Sequence, residues 1–227
     1  SFYRVIKKRI KKTELKDVGQ YKYSGLFFCL IPELIKNITG TDFENYLNSS
    51  FYKFLNSTLT FNPLNNHDLS KIVPTEIDML FRKELVHGTV HDETAALMGG
   101  ISANSGLFSN AESIANLFSH LMKENNIMMK KNIFQMFTKN HIQNDSLNER
   151  GLGFDKVRFV LKGNKIYPHY KLSKDSFGHT GFTGTMYWVD PKKELIIVFI
   201  TNSVYPYREN IKLGEMKVRE KLLYLIL

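Results

Sequence analysis

Gly178-His179-Thr180-Gly181-Phe182-Thr183-Gly184-Thr185, followed by the β-rich run 185–189, the turn Asp190-Pro191-Lys192-Lys193 and the run 194–201, decides the fold. β-Branched and aromatic residues fill both runs, and a polar turn containing Pro separates them. That is the pattern of antiparallel strands joined by a hairpin. Three glycines and three threonines surround His179 where the first strand opens. A small-residue segment at the start of an edge strand offers a flat surface against which a substrate backbone can lie. It equally suits a tight hairpin entry with a surface histidine.

Working outward, residues 157–161 form a further β-rich run, and residues 212–227 return to helical spacing through Leu213, Met216, Val218, Leu222 and Leu223. N-terminal to the strands the pattern is helical. Phe2, Val5, Ile6 and Ile10 make one stripe. Residues 26–38 form an apolar segment that Pro32 should kink or break and that Gly40 should cap. Thr41-Asp42-Phe43-Glu44 and Ser109-Asn110-Ala111-Glu112 read as capping boxes. The second opens a helix with Ile114, Leu117, Phe118, Leu121 and Met122 inward, and residues 127–137 repeat the spacing. Residues 56–71, rich in Asn, Ser, Pro and Asp, read as a loop, and residues 74–91 show no clear period. Helices followed by hairpin-joined strands predict an α+β fold, an antiparallel sheet packed against helices. With no internal repeat and no linker, residues 1–227 read as a single domain.

Composition excludes several classes. The 227 residues are 43% apolar and 23% charged, with 14 Gly and 6 Pro, the profile of a globular chain rather than a disordered or collagen-like one. No apolar run approaches the roughly 18 residues of a transmembrane helix. Cys29 is the single cysteine, so no disulfide framework exists, and its apolar setting suits a buried small side chain. The net charge of +9 is partly local, with Arg4, Lys7, Lys8, Arg9, Lys11, Lys12 and Lys16 opposed only by Glu14. No aromatic interleaving or nucleic-acid motif accompanies this run, so it reads as a solvated basic helix face and nucleic acid is not an expected partner.

Three further patterns could carry chemistry. Gly99-Gly100-Ile101-Ser102-Ala103-Asn104-Ser105-Gly106 precedes a helix but lacks the arrangement of a phosphate loop, and a turn needing positive φ accounts for it. His87 and His91 are four apart, as metal ligands on a helix face would be, yet Gly88, Thr89 and Val90 between them are poor helix formers. Hydrogen-bonded histidines are the better reading, so no metal or other cofactor is expected. Ser50-Phe51-Tyr52-Lys53 is the sole S-x-x-K, a spacing that on a helix sets a Lys amine beside a Ser hydroxyl. Two common residues three apart also arise by chance.

Across essentially its whole length the chain resembles the serine β-lactamase-like family of penicillin-binding proteins, class C β-lactamases and related esterases. The resemblance is carried by Tyr21-Lys22-Tyr23-Ser24-Gly25-Leu26, Pro74-Thr75-Glu76-Ile77-Asp78, Val86-His87-Gly88-Thr89-Val90-His91-Asp92-Glu93, Gly106-Leu107-Phe108-Ser109, Gly151-Leu152-Gly153-Phe154-Asp155 and the Gly178–Thr185 block, in the family's order. It looks most like the branch fused behind a family 3 glycoside hydrolase domain of the β-N-acetylglucosaminidase type. An upstream glycosidase domain in the same full-length chain is therefore an implied partner.

The resemblance implies a β-lactamase/transpeptidase-like fold and acyl-enzyme hydrolysis of peptidoglycan-type amides or related esters. Of the family's three signatures, Tyr23-Ser24-Gly25 matches Tyr-x-Asn with Gly25 in place of Asn, and His179-Thr180-Gly181 matches Lys-Thr-Gly with His in place of Lys. The S-x-x-K signature should lie N-terminal to Tyr23, whereas Ser50-Phe51-Tyr52-Lys53 follows it. The nucleophile segment and the N-terminal part of the fold are thus expected to precede these residues, in line with a chain that opens on Ser1. By the resemblance Tyr23 relays a proton, His179 supplies a neighbouring cation, the Phe182 N–H is an oxyanion donor, and Thr180, Gly181 and Phe182 lie along the substrate. A non-catalytic module that binds cell-wall glycan or peptide is the alternative. Family members are usually exported, which implies the cell envelope or periplasm. An imidazole ordinarily changes charge between about pH 5 and 8, which a Lys ammonium does not. In a chain that includes the nucleophile, the rate should therefore vary across that range, and a flat profile would remove His179 from the role.

Overall fold

Phe2, Val5, Ile6 and Ile10 lie on one stripe of helix α1, Phe2–Lys12. The structure is a computed structural model that describes residues 2–14, 19, 21–142, 149–160 and 165–227; Ser1, Lys16 and Leu161, used above, lie outside these. Glu33 anchors α1, accepting from the Tyr3 hydroxyl at 2.6 Å and from Lys7 Nζ. Pro32 then starts a helix instead of breaking one. A 3₁₀ turn over Phe28–Leu30 runs into α2, Ile31–Thr39, where Pro falls in the first turn and its missing N–H costs nothing. Gly40 closes α2 with φ 73° and its N–H on Lys36 O at 2.8 Å. Helix α3, Phe43–Ser50, follows, but its capping box does not form. Asp42 pairs with Lys36 Nζ at 2.7 Å and Glu44 accepts from the Phe61 N–H.

The chain divides into two compact units, Ser1–Ser109 and Asn110–Leu227. The first completes itself with a hairpin of three-residue strands, β1 (Glu76–Asp78) and β2 (Glu84–Val86), and a short helix α4 (Glu93–Leu97). Asp78, fully buried, organises this region. Its carboxylate accepts from the backbone N–H groups of Leu80, Phe81 and Arg82 at 2.9–3.0 Å and from Arg82 Nη1 at 3.2 Å. Arg82 reaches on to the carbonyls of Val90 and His91, just before Asp92, whose side chain caps α4 through the Ala95 N–H.

In the second unit Asn110 caps α5, Ala111–Met122, through the Ser113 N–H at 2.8 Å. Helix α6, Lys131–Thr138, begins only after residues 127–129, because Asn126 Oδ1 accepts from the N–H groups of Met128 and Met129 and holds them in a turn. Next come β3 (Asp155–Lys156), β4 (Arg158–Val160), β5 (Lys165–Tyr167), β6 (Phe177–Thr180), β7 (Gly184–Asp190) and β8 (Leu195–Asn202). β4 and β5 pair with each other, and the order β3-β6-β7-β8 makes a four-stranded antiparallel sheet. The helix expected at residues 212–227 is two, α7 (Lys212–Glu215) and α8 (Val218–Ile226), separated by Lys217 at φ 50°.

Helices cover both faces of this sheet. Met186 and Trp188 on one face of β7 pack with Val157, Leu172, Ile197 and Leu223 of α8. On the other, Phe118 of α5 stacks on Tyr187 with ring centroids 4.8 Å apart, and Phe134, Phe154 and Phe177 close around it. The architecture is the expected α+β fold. No helix among the described residues is long and apolar enough to cross a membrane.

The backbone N–H of Phe81 foremost, with those of Arg82 and Leu80, holds the Asp78 carboxyl well below the usual carboxylate range despite its burial. A depressed folded-state value stabilises the fold above the unfolded-state value of about 3.9, and the contribution drains as pH falls below it. Asp78→Asn should therefore lower stability at neutral pH by about 2–4 kcal/mol. It should also flatten the loss of stability between about pH 5 and 3 seen in denaturant titrations of the parent chain. An unchanged acid profile would remove Asp78 as its source.

Candidate active site

The site residues of the second unit sit on one strand and the turn after it. His179 pairs with Tyr187, and Thr180 with Met186, across β6 and β7. β6 is an inner strand only in part, because β3 spans two residues and pairs with Phe177 and Gly178 alone. His179 and Thr180 extend past β3's last pairing, which is the partial edge that the sequence suggests. His179 Nδ1 lies 2.7 Å from Thr180 O. A carbonyl can only accept, so Nδ1 is the donor in this contact.

Beyond Thr180 the chain turns tightly. The Gly181 N–H donates to Thr185 O at 2.7 Å and the Gly184 N–H to Gly181 O at 3.0 Å. Gly184 has φ 91°, and a Cβ there would lie 2.8 Å from Ser203 Oγ. Ser203 fastens the turn from β8's far end, donating to Thr183 O through its N–H at 2.8 Å and its hydroxyl at 3.0 Å. Gly178 is equally constrained, since a Cβ would stand 2.2 Å from Tyr187 O and 2.6 Å from the Trp188 ring. Gly181 is different. It is exposed, has an ordinary φ, and a Cβ would meet nothing closer than 3.7 Å. Phe182, 64% exposed, follows at the tip of the turn.

Tyr23 belongs to the first unit, where it is 63% exposed beside Ser24 and Gly25. Gly25 packs against a residue that sequence reasoning passed over. A Cβ at position 25 would lie 3.5 Å from Asn104 Cβ and 3.6 Å from its Nδ2. The small-residue loop had registered as a turn, and it is one: Gly99, Gly100 and Gly106 all have positive φ, and Asn62 fills the space over Gly100. The signal for Asn104 is only that a polar side chain stands inside a run of small ones.

Three other candidates fall to ordinary structure. Helix α3 ends at Ser50, and Lys53 lies in a separate 3₁₀ turn, Tyr52–Phe54, with its ammonium over the Phe54 ring. No hydrogen bond joins Ser50 to Lys53, so the activating geometry of S-x-x-K is not formed. His87 Nε2 meets Ile72 O at 2.6 Å while His91 Nε2 meets the buried Glu76 carboxylate at 2.5 Å, so the two rings serve different partners. Cys29 is buried, and burial pushes its thiol up.

The glycine turn after β6 thus belongs to the second unit and the Tyr23 segment to the first. A family model described as Beta-lactamase matches residues 3–216, and the chain belongs to that family. Among its relatives, a putative D-alanyl-D-alanine carboxypeptidase of Escherichia coli (strain K12) is 30% identical over 215 residues, covering 85% of this chain and 48% of that protein. The protein of the same description in Salmonella agona (strain SL483) is 29% identical, with the same coverage. The chain thus spans about half the length of the curated relatives it matches. A penicillin-binding protein homologue from Caulobacter crescentus superposes with TM-score 0.60 at 15% identity, over 88% of this chain and 58% of that one. Unliganded simvastatin synthase from Aspergillus terreus gives TM-score 0.60 at 15% identity, over 91% and 54%. The fold is β-lactamase/transpeptidase-like.

Gly178 of β6 and Gly181 of the turn after it should separate cleanly in thermal unfolding of the chain. Gly178→Ala should cost about 2–3 kcal/mol, because backbone and an indole ring must move. Gly181→Ala should stay within about 0.5 kcal/mol of the parent. Equal losses would mean that position 181 is held by internal packing.

Proposed function

We propose that the chain is the C-terminal part of a serine hydrolase that acts through an acyl-enzyme on peptidoglycan-type amides or related esters. The observation that carries this reading is the exposed Gly181, a glycine with no internal reason to be one, placed directly after the open edge of β6. A substrate backbone that must approach closely is such a reason. Family membership and the carboxypeptidase description of the relatives support the same chemistry.

In this reading the nucleophilic serine and its Lys lie upstream of Tyr23 in a longer chain. The Ser Oγ attacks the acyl carbon as the Tyr23 phenolate takes its proton. The Phe182 N–H and the N–H of the serine itself hold the negative oxygen that forms. Tyr23 returns the proton to the leaving amine or alkoxide, and water repeats the sequence to free the acid. His179, in its protonated form, supplies positive charge toward the phenolate. Thr180, Gly181 and Phe182 pair with the substrate as an added strand. The chain acts outside the cytoplasm, where such amides are found, and the full-length protein carries a glycosidase domain ahead of this one.

The test uses the longest reading frame that contains these 227 residues. Incubated with an acylating β-lactam or an active ester, it should show a one-to-one mass adduct on a serine N-terminal to Tyr23. Tyr23→Phe should slow acylation by about 10²–10⁴-fold, and Gly181→Ala should slow it while leaving stability intact. An adduct that vanishes in Ser50→Ala would overturn the upstream nucleophile. Gly25, which lacks the expected amide, favours a non-catalytic binding module instead; no adduct at all, with Tyr23→Phe leaving glycan or peptide binding unchanged, would establish that reading.

A further inference from the structure

Helix α1 joins the first unit through polar contacts and leaves its outward side uncovered. The half-buried Tyr3 and Lys7 meet Glu33 of α2, and the half-buried Ile6 and Ile10 share their side of α1. None of the helix's residues is fully buried. A helical advance of about 100° per residue sets Phe2, Val5, Lys8, Arg9 and Lys12 on the side turned away from α2. All five are exposed, Phe2 at 63% and Val5 at 52%. Lys8, Arg9 and Lys12, with Arg4 and Lys11 at the margin, form no ion pair among the described residues. The uncovered apolar surface continues onto the neighbouring elements. Lys7, Phe27 and Leu34 line one groove between α1 and α2. Phe27, Leu34 and, one turn further along α2, Ile38 are exposed as well.

We infer that this face of α1 and α2 is a membrane-docking surface, which lays Phe2 and Val5 into an anionic phospholipid bilayer while the surrounding cations meet its phosphates. The pairing of bare apolar side chains with unpaired cations selects the occupant. In an interfacial helix the apolar side chains enter the acyl boundary, and Lys and Arg reach back to the phosphates along their stems. At 11 residues, about 16 Å, α1 lies along a bilayer and cannot cross it. A second copy of the chain would set like charges against each other, in a molecule whose net charge is already +9. A covering polypeptide would have to bring an acid for every cation it buried. A soluble polyanion would satisfy the cations and leave Phe2 and Val5 in water. Anionic heads over an apolar layer meet both requirements. Such docking is independent of acyl hydrolysis: it sets where the protein acts, not what it does there.

The experiment is co-sedimentation of the full-length protein with vesicles of phosphatidylcholine, alone or mixed with phosphatidylglycerol. The parent should bind the mixed vesicles, bind the neutral ones far more weakly, and come off at about 0.5 M salt. Lys8→Gln and Lys12→Gln should each weaken binding to the mixed vesicles about fivefold. Phe2→Ser combined with Val5→Ser should weaken it about tenfold with no change in charge. These positions are exposed, so the melting temperature should stay that of the parent. Equal binding to both kinds of vesicle, or binding that none of these variants moves, would overturn the membrane surface. Loss in the lysine variants but not in the Phe2/Val5 variant would make α1 a polyanion site and overturn it too. Protection of Phe2 from hydroxyl-radical labelling in the vesicle-free protein would show that polypeptide, from upstream or from a second copy, covers α1, with the same consequence.

Discussion

The closeness of β6 to β7 at Gly178 is the constraint on which the second unit depends. Gly178 pairs with Trp188, and a Cβ there would stand within 2.2 Å of the Tyr187 carbonyl and 2.6 Å of the indole. With no side chain in the way, the indole closes over the strand and joins Met186 and Leu223 in the core. The residues on either side of Gly178 then have fixed places. Phe177 goes to the aromatic cluster under α5, and His179 shares its face. The end of β6 that carries His179 and Thr180 is thus held in place because a side chain is missing one residue earlier. A site built on a strand whose position is over-determined by packing holds its groups more precisely than one on a loop.

Buried carboxylates do for the turns what packing does for the strands. Asp190, fully buried at the end of β7, accepts from the N–H and hydroxyl of Ser173 at 2.8 and 2.6 Å, and from the N–H groups of Lys192 and Lys193. Asp78 plays the same part in the first unit. Each spends its charge on backbone donors that the turns would otherwise leave unsatisfied, so burial of the carboxylate is offset where it occurs. Neither is a candidate for chemistry, since acceptors committed to several N–H groups have little capacity left for a substrate.

The β-rich runs, their Asp190–Lys193 turn and the helices α1 and α5 were legible in the sequence, because each carries a period or a cap that local physics reads directly, whereas α3 forms without the capping box that announced it. The hairpin of β1 and β2 was not. Its strands are three residues long, too short for an alternation to declare itself, and Asp78 rather than a hydrophobic face holds it. Pro32 misled in an instructive way, since the rule that it disrupts a helix interior says nothing about where the interior begins. Lys217 likewise ends α7 with a left-handed φ that no glycine announced. For the site, His179, Thr180, Gly181 and Phe182 stood out because small residues cluster around one imidazole. The packing of Asn104 against Gly25, Cys29 and Ser102 was not legible, because these residues are far from it or ordinary in sequence, and only the fold gathers them.

Glycines sort into two kinds once the fold is known, and the sorting bears on function. Gly100, Gly106, Gly151, Gly178 and Gly184 are glycines because the interior leaves no room, and Gly40 and Gly99 because their φ is positive. Gly25, Gly181 and Gly214 meet neither condition. Gly214 lies exposed in the short helix α7, where solvent tolerates any small residue. Gly25 and Gly181 fall in the two segments that the family signatures mark. At Gly181 the space opens to solvent at a strand end, and at Gly25 it is bordered by the Asn104 side chain. The cost of glycine, about 0.5–1 kcal/mol of backbone entropy, is offset at most positions by internal fit. At these two it is not.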